Sequence, residues 1–297
     1  MTKSKYGDQS HRKSGTLALI LAVGIASVVV APNLGATTTG NKVIVIMEEN
    51  HSQSQTYASM PYLTGLSTTY AKTTRYHAIT HPSLPNYLAI WGGKTYGTTG
   101  TDCYVGCGPT GSADRSVWDQ TIAAGKTAKA YQESMLSNCS TAGTGAYVAR
   151  HGPWPYWTNA TSRANCAAND VPLTALQADI TSGNLPVTGE ITPNLNNDWH
   201  DGSAAQADAF LKTWVPALQA GPDYTSGHLT IIIVTDENSG TAGNVVAFVA
   251  INPALHGVTV TGSYNHYSLT RWMDDNAGVA RLGAAATAPD LKAAFGL

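Results

Sequence analysis

Two apolar runs in the sequence each lead into a pair of acidic residues. Residues 43–47 are followed by Glu48-Glu49, and residues 230–234 are followed, after one threonine, by Asp236-Glu237. Buried carboxylates are costly unless they are paired or bind a cation, and their oxygens suit divalent metals. Because charged residues make up only 12% of the chain, these pairs predict a metal site. Solvated loop acids are the alternative.

A serine between two prolines is the candidate nucleophile. Ser83 lies in the segment His81-Pro82-Ser83-Leu84-Pro85-Asn86. Proline is favoured in the first turn of a helix, so we expect Ser83 at a helix N-terminus, where the helix dipole stabilises negative charge. An ordinary helix cap explains the same pattern equally well.

Histidines offer nitrogen ligands or proton-transfer groups. Asp198 and His200 are two residues apart, so both converge on one cation if that segment is extended. His81 and His266 are further candidates, although a single histidine is more often an ordinary surface or core residue.

Alternating strands and helices would position these groups. Ligands of parallel sheets bind beyond the carboxyl ends of the strands, so both acid pairs are expected at one edge of a mostly parallel sheet with helices on both faces, a three-layer α/β/α sandwich. Strands are predicted at residues 43–47, 230–234, 245–251 and, more weakly, 128–131. Helices are predicted at residues 61–73, after Ser116, at 204–218 with Gly221 as the stop, and at 266–273.

The N-terminal segment predicts export. Residues 1–36 combine four basic residues with an apolar stretch at 16–31 and small residues before a cleavage point after Ala36, as in a signal peptide. An uncleaved anchor is the alternative. Residues 37–297 are long enough for a single catalytic domain, and after processing we expect a secreted monomer without a stable membrane anchor.

Cysteine content and charge agree with export. We expect disulfides between Cys103 and Cys107 and between Cys139 and Cys166, although four cysteines allow three connectivities. A zinc site is less favoured because the chain has no Cys-x-x-Cys pair. The net charge of −2 argues against a nucleic-acid binder, which needs dense basic residues.

These segments, in this order, resemble the phosphoesterase family of bacterial acid phosphatases and phospholipases C, within the alkaline-phosphatase-like superfamily. The likeness includes secreted acid phosphatases that act on phosphatidylinositol 3-phosphate. The matching segments are residues 43–52, 80–89, 147–154, 193–203, 231–240 and 265–267.

The resemblance implies a role for each matching residue. Ser83 corresponds to the nucleophile. The divalent metal site, of open identity and number, would use Glu49, Asn50, Asp236, Glu237 and Asp198. His200 and His266 would assist the leaving group. Contacts to substrate are expected from His81, Asn86, Arg150 and His151.

The implied function is a metal-assisted acid phosphatase that hydrolyses phosphomonoesters through a phosphoserine, with a phosphoinositide head group as one candidate substrate. A phosphodiesterase or phospholipase C on the same fold is the alternative. A secreted carbohydrate-binding module is a third interpretation, because Trp154-Pro155-Tyr156-Trp157 offers rings that stack on sugars.

Overall fold

Strands and helices alternate along the chain. The computed structural model describes residues 42–240 and 242–297, so the predicted signal peptide at 1–36 lies outside the described residues. The strands are β1 Lys42–Glu48, β2 Ala71–Thr73, β3 Tyr76–His77, β4 Ala128–Gln132, β5 Asp170–Pro172, β6 Thr188–Thr192, β7 Leu229–Thr235, β8 Val245–Val246, β9 Phe248–Ile251, β10 Val258–Val260 and β11 Tyr264–Asn265. The helices are α1 Gln53–Ser59, α2 Pro61–Thr69, α3 Ser83–Gly92, α4 Val117–Ala123, α5 Ala160–Asn169, α6 Leu176–Ser182, α7 Ala204–Ala220, α8 Pro222–Thr225, α9 His266–Ala277 and α10 Leu291–Phe295.

The main sheet is mostly parallel. It has eight strands in the order β10-β2-β9-β7-β1-β6-β4-β5. Only β9 among these described strands is antiparallel, and it is so to both neighbours, β2 and β7. A second sheet of three strands has the order β11-β3-β8.

Helices cover both faces of the main sheet. Successive residues of a strand point to opposite faces, so Ile44 packs in a core that includes Leu63 of α2 and Leu211 of α7. Val45 packs in the opposite core, with Leu88 of α3 and Leu269 of α9. Each such burial contributes about 1.5–3 kcal/mol. The architecture is therefore the predicted three-layer α/β/α sandwich.

Two predicted elements differ from the observed ones. The run at residues 245–251 divides at Ala247, so that β8 joins the small sheet and β9 the main sheet. The helix predicted at 61–73 ends at Thr69, because residues 71–73 pair as β2 with β9 and β10. Strand pairing over these residues prevails over their helical spacing.

Strand β6 was not predicted. Its sequence, Thr-Gly-Glu-Ile-Thr, has no apolar run, yet all five positions are buried between β1 and β4. The other strands at 43–47, 128–131 and 230–234 are confirmed.

Local capping signals set several helix ends as predicted. Ser116 caps α4, with Asp119 completing a reciprocal capping box. Helix α7 continues through Pro216 to Ala220, so the proline does not shorten it, and Gly221 is its C-cap.

Both predicted disulfides, Cys103–Cys107 and Cys139–Cys166, are present. Within the described ranges, no helix has the length and apolarity needed to cross a membrane.

The register of the central strands brings the acid pairs together. Glu48 of β1 is level with Thr235 of β7, so Glu49 and Asp236 follow side by side at the carboxyl edge. The Glu49 amide donates to the Asp198 carbonyl at 2.9 Å and the Asp236 amide to the Glu48 carbonyl at 3.0 Å. The segment after β6 thereby joins the same edge.

Candidate active site

Four acidic side chains meet at the carboxyl edge of the sheet. Glu49, Asp198 and Asp236 are fully buried, and Glu237 is 6% exposed. The backbone N–H of Asn50 donates to Oδ1 of Asp236 at 3.1 Å. Asn50 adopts a left-handed backbone conformation with φ 53°, which asparagine tolerates better than most residues. The chain thus turns sharply after β1 and holds the two acid pairs together.

Ser83 points its hydroxyl into this group. Its Oγ donates to Oε2 of Glu49 at 3.0 Å and lies 3.4 Å from both Oδ1 of Asn50 and Oε1 of Glu237. Ser83 is the first residue of α3 and Pro82 is the N-cap. The hydroxyl therefore faces the acids and does not cap the helix. Its role as the nucleophile stays a prediction.

Two side chains fix the entry into α3. Asn86 accepts from the amides of Ile79 and Thr80 and donates to the carbonyls of Thr80 and Pro82. Asn86 is fully buried and both of its amide protons are bound to these carbonyls, so its contact with substrate stays a prediction. Asp102 accepts from the Leu84 amide at 2.9 Å, which holds the residue after Ser83.

Tyr87 and His151 engage the other oxygen of Glu49. The Tyr87 hydroxyl donates to Oε1 at 2.5 Å, and Nε2 of His151 lies 3.3 Å from the same atom. Nδ1 of His151 is 3.0 Å from Oδ2 of Asp198, whose Oδ1 accepts from the His200 amide at 2.7 Å. His151 is 1% exposed, so it links two acids inside the site and is not an open phosphate clamp.

Burial disfavours the charged form of every acid in the group. It raises the pKa of Glu49 well above its ordinary value, that of Asp198 and Asp236 to about 7, and that of Glu237 to about 9. The charge of Asp236 raises the pKa of Glu49 and of Glu237 further. Burial also lowers the pKa of His151 well below its usual range, so this ring does not supply a compensating positive charge.

The donor set fits a divalent cation. Oδ2 of Asp236 is buried without a hydrogen-bond partner, beside carboxylate oxygens and the Asn50 amide oxygen around Ser83. Oxygen-rich groups of this kind suit hard metal ions. Glu49, His151 and His200 also present ligand atoms within 4.8 Å of one another, so nitrogen ligands lie next to the oxygen set.

Arg150, His200 and His81 lie on the accessible side of the site. Nη2 of Arg150 donates to Nε2 of His200 at 3.3 Å, and Arg150 Nε is 3.4 Å from Oδ2 of Asp102. Nδ1 of His200 is 2.7 Å from Oδ1 of Asp201. Nδ1 of His81, whose side chain is 45% exposed, contacts Oε2 of Glu237.

His266 lies behind the acids. Its Nε2 is 2.5 Å from the Asp236 carbonyl and its Nδ1 is 3.2 Å from the Tyr76 hydroxyl. The ring is fully buried, and burial lowers its pKa to about 4. Both nitrogens are engaged by the protein, so in this structure His266 supports the backbone of Asp236. Its assistance to the leaving group stays a prediction.

Two residues of the site were not predicted. Tyr87 is four residues after Ser83, on the same face of α3, and that spacing was an available signal. Asp102 comes from a distant glycine-rich loop, and nothing in the sequence connects it to Ser83.

Comparisons with known proteins identify the family of this chain. The model of the Phosphoesterase family matches residues 53–280. The Mycobacterium tuberculosis protein named phosphatidylinositol-3-phosphatase is 29% identical over 295 residues, covering 96% of this chain and 95% of that protein. The Penicillium chrysogenum phosphate-repressible acid phosphatase is 28% identical over 71% of this chain and 52% of its own length.

A solved structure shows the same fold. A protein in the alkaline phosphatase superfamily from Vibrio parahaemolyticus superposes with a TM-score of 0.58 at 12% identity, over 85% of this chain and 70% of that one. The three-layer architecture is therefore alkaline-phosphatase-like.

Proposed function

Because the chain belongs to the Phosphoesterase family, we propose that it is a phosphatase that hydrolyses phosphate monoesters through Ser83. One observation carries the proposal: the Ser83 hydroxyl lies 3.0 Å from Glu49 and 3.4 Å from Asn50 and Glu237 at the start of a helix. A hydroxyl held against a base at a helix N-terminus is an activated nucleophile next to an anion-binding position.

A divalent metal ion fits the same residues. Glu49, Asn50, Asp236 and Glu237 would hold it, with Ser83 in contact. When bound, the metal supplies positive charge that lowers the pKa of the serine hydroxyl and offsets the charge of the phosphoryl group. Asp198 orients His151 and His200 through the contacts of both its oxygens.

The protein groups account for the proton transfers. The hydroxyl proton of Ser83 passes to Glu49 as Oγ bonds to phosphorus and the bond to the leaving oxygen breaks, which gives a phosphoserine. Arg150 turns from His200 to the phosphate oxygens, and His200 donates a proton to the departing alcohol. His200 then takes a proton from the attacking water, and Ser83 recovers its own from Glu49.

The proposal extends to a phosphoinositide substrate and to secretion of the enzyme. The relative of matching length is named for phosphatidylinositol 3-phosphate, which supports a phosphoinositide head group as a substrate to test. The predicted signal segment and the two disulfides support a secreted enzyme.

The two alternative functions fare differently. A phosphodiesterase would use the same fold and the same serine, so substrate tests separate it. The carbohydrate-binding interpretation loses its basis, because Trp154 and Trp157 are fully buried and Tyr156 is 2% exposed. These rings pack in the core, where Trp118 lies 4.8 Å from Trp154 and 6.3 Å from Trp157 between ring centroids.

The test compares hydrolysis of p-nitrophenyl phosphate and bis-p-nitrophenyl phosphate, with and without chelator. Ser83→Ala should lower monoester turnover by at least about 10³-fold, because the covalent route is lost. Chelation should have a similar effect that added divalent metal reverses. Ser67→Ala is the matched control, since Ser67 is also buried and donates only to the Thr64 carbonyl.

Three results would contradict the proposal in different ways. Normal monoester turnover by Ser83→Ala would remove the nucleophile. Turnover of the diester alone would favour the phosphodiesterase. Full activity after exhaustive chelation would remove the metal from the reaction.

A further inference from the structure

A small cavity lies next to the candidate active site. Its volume is about 140 Å³, and its walls include Val105, Val148 and Tyr156, with Tyr104 at the mouth. Asp102, Arg150 and the polar Thr141 also line it. We call this cavity the ring pocket.

The wall formed by Asp102 and Arg150 connects the ring pocket with Ser83. Oδ1 of Asp102 accepts from the amide of Leu84, the residue after Ser83, at 2.9 Å. Arg150 lies 3.4 Å from Asp102 on one side and 3.3 Å from His200 on the other. An ester with its phosphate at Ser83 and Arg150 therefore has the ring pocket beside its alcohol part.

The chemistry of the walls favours an apolar group. Val105, Val148, Ala149 and the Tyr156 ring contribute carbon surface. The Tyr156 hydroxyl donates to the Cys103 carbonyl at 2.8 Å, so this polar atom is already bound within the wall. The Asp102 carboxylate is likewise held by Arg150 and the Leu84 amide.

The volume limits the size of the group. An apolar cavity of about 150 Å³ accommodates one benzene molecule, and the ring pocket is of that size. Tyr104 is 91% exposed and offers a further aromatic surface at the opening, while the Cys103–Cys107 disulfide closes the short loop that carries it. The pocket thus exists before any substrate arrives.

We propose that the ring pocket binds the alcohol part of the substrate and selects monoesters whose alcohol carries a six-membered ring with an apolar face. This inference rests on the proposed phosphatase function. The ring has two sources, an aryl alcohol or the carbon face of a cyclic polyol, and the two are separated by substrate choice.

The test uses two esters that differ in size but share a secondary alkyl alcohol, cyclohexyl phosphate and isopropyl phosphate. We expect kcat/KM for the cyclohexyl ester to be at least about tenfold higher, because a hydrophobic pocket discriminates by that factor or more per added methylene group. Val148→Phe, which fills the pocket, should reduce the ratio to about one and leave isopropyl turnover within about twofold.

A second variant avoids any dependence on repacking. Tyr104→Ala changes an exposed side chain and should raise KM for cyclohexyl phosphate about threefold or more, with kcat for isopropyl phosphate unchanged. Leu136→Ala is the matched control, because Leu136 is 78% exposed and does not line the ring pocket. Phenyl phosphate and myo-inositol phosphate, assayed with Val148→Phe, identify which ring source depends on the pocket.

The outcomes separate this inference from the proposed function. Two results would overturn the ring pocket alone, provided that Ser83-dependent turnover persists. The first is a ratio near one between kcat/KM for cyclohexyl phosphate and kcat/KM for isopropyl phosphate in the unmodified protein. The second is a ratio that neither Val148→Phe nor Tyr104→Ala changes. Absence of Ser83-dependent turnover of every ester would overturn the phosphatase proposal and the pocket with it.

Discussion

Two groups of buried carboxylates in this protein differ in what surrounds the acids. The rim group comprises Glu49, Asp198, Asp236 and Glu237 at the carboxyl edge of the sheet. The core pair comprises Asp170 and Glu190, both fully buried. Burial raises the pKa of both members of the core pair well above their ordinary values, as it does for the rim group.

In the core pair, hydrogen-bond donors hold Glu190 in place, whereas Oδ1 of Asp170 is buried without a partner. Trp91 donates its indole N–H to Oε1 of Glu190 at 2.8 Å, and the Gln132 amide lies 3.5 Å from Oε2. The rim group instead faces Ser83, His200 and Arg150. The comparison teaches that buried acids with raised pKa values do not by themselves mark a site. The rim group differs from the core pair in the hydroxyl of Ser83 and the accessible basic side chains of His200 and Arg150 beside it.

The largest expected difference is in activity. Asp236→Asn should reduce kcat/KM for p-nitrophenyl phosphate by about 10³-fold, because it removes a carboxylate at the reacting centre. Asp170→Asn makes the same chemical change in the core pair and should leave activity within about twofold. Equal losses in the two folded variants would mean that the two regions do not differ in function.

Metal binding provides the next contrast. At a metal concentration one hundred times Kd, metal binding should raise the free energy of unfolding by about 2.7 kcal/mol. Calorimetry should show this as a rise in Tm of several degrees. Glu237→Gln should abolish this rise, whereas Glu190→Gln should retain it. A rise that persists in Glu237→Gln would place the metal away from the rim group.

His200 tests whether the rim group acts on the leaving alcohol. His200→Ala should slow an alkyl phosphate by about 10²-fold, since a basic alcohol needs a proton to depart. The loss for p-nitrophenyl phosphate should be several-fold smaller, because that leaving group departs as a stable anion. Identical losses for the two esters would assign His200 to positioning rather than to proton transfer.

The smallest effect concerns the core pair and pH. The pKa of Glu190 is raised above its ordinary 4.5, so its contribution to stability is present in full below pH 4.5 and is lost as the pH rises toward the raised pKa. The loss is at most about 1.4 kcal/mol per pH unit. Glu190→Gln keeps an acceptor for Trp91 and should flatten this decline, measured by urea unfolding between about pH 5 and 8. If the free energy of unfolding falls with pH as steeply in Glu190→Gln as in the unmodified protein, Glu190 does not cause the decline.

Much of the rim group was predictable because strand ends carry their own signal. Apolar runs located β1 and β7, and parallel pairing then required Glu49 and Asp236 to be neighbours. Glu190 was not predicted because its strand, β6, has no apolar run in sequence and is buried by pairing between β1 and β4, with distant Trp91 bound to Glu190. The position of His266 behind the acids was not predictable, because sequence order indicates that a histidine is near the edge but not which side of the acids it occupies.

The Cys139–Cys166 disulfide spans 27 residues, and Arg150 and His151 lie between its ends. A covalent ring of this size restricts the unfolded chain and stabilises the fold by about 3 kcal/mol in the loop-entropy account. The same disulfide-closed loop limits the distance that Arg150 and His151 can move from Asp198 and His200. Oxidation and catalytic competence are thus linked: chains produced under reducing conditions should accumulate as a less active form that gains turnover when air or oxidised glutathione closes the ring.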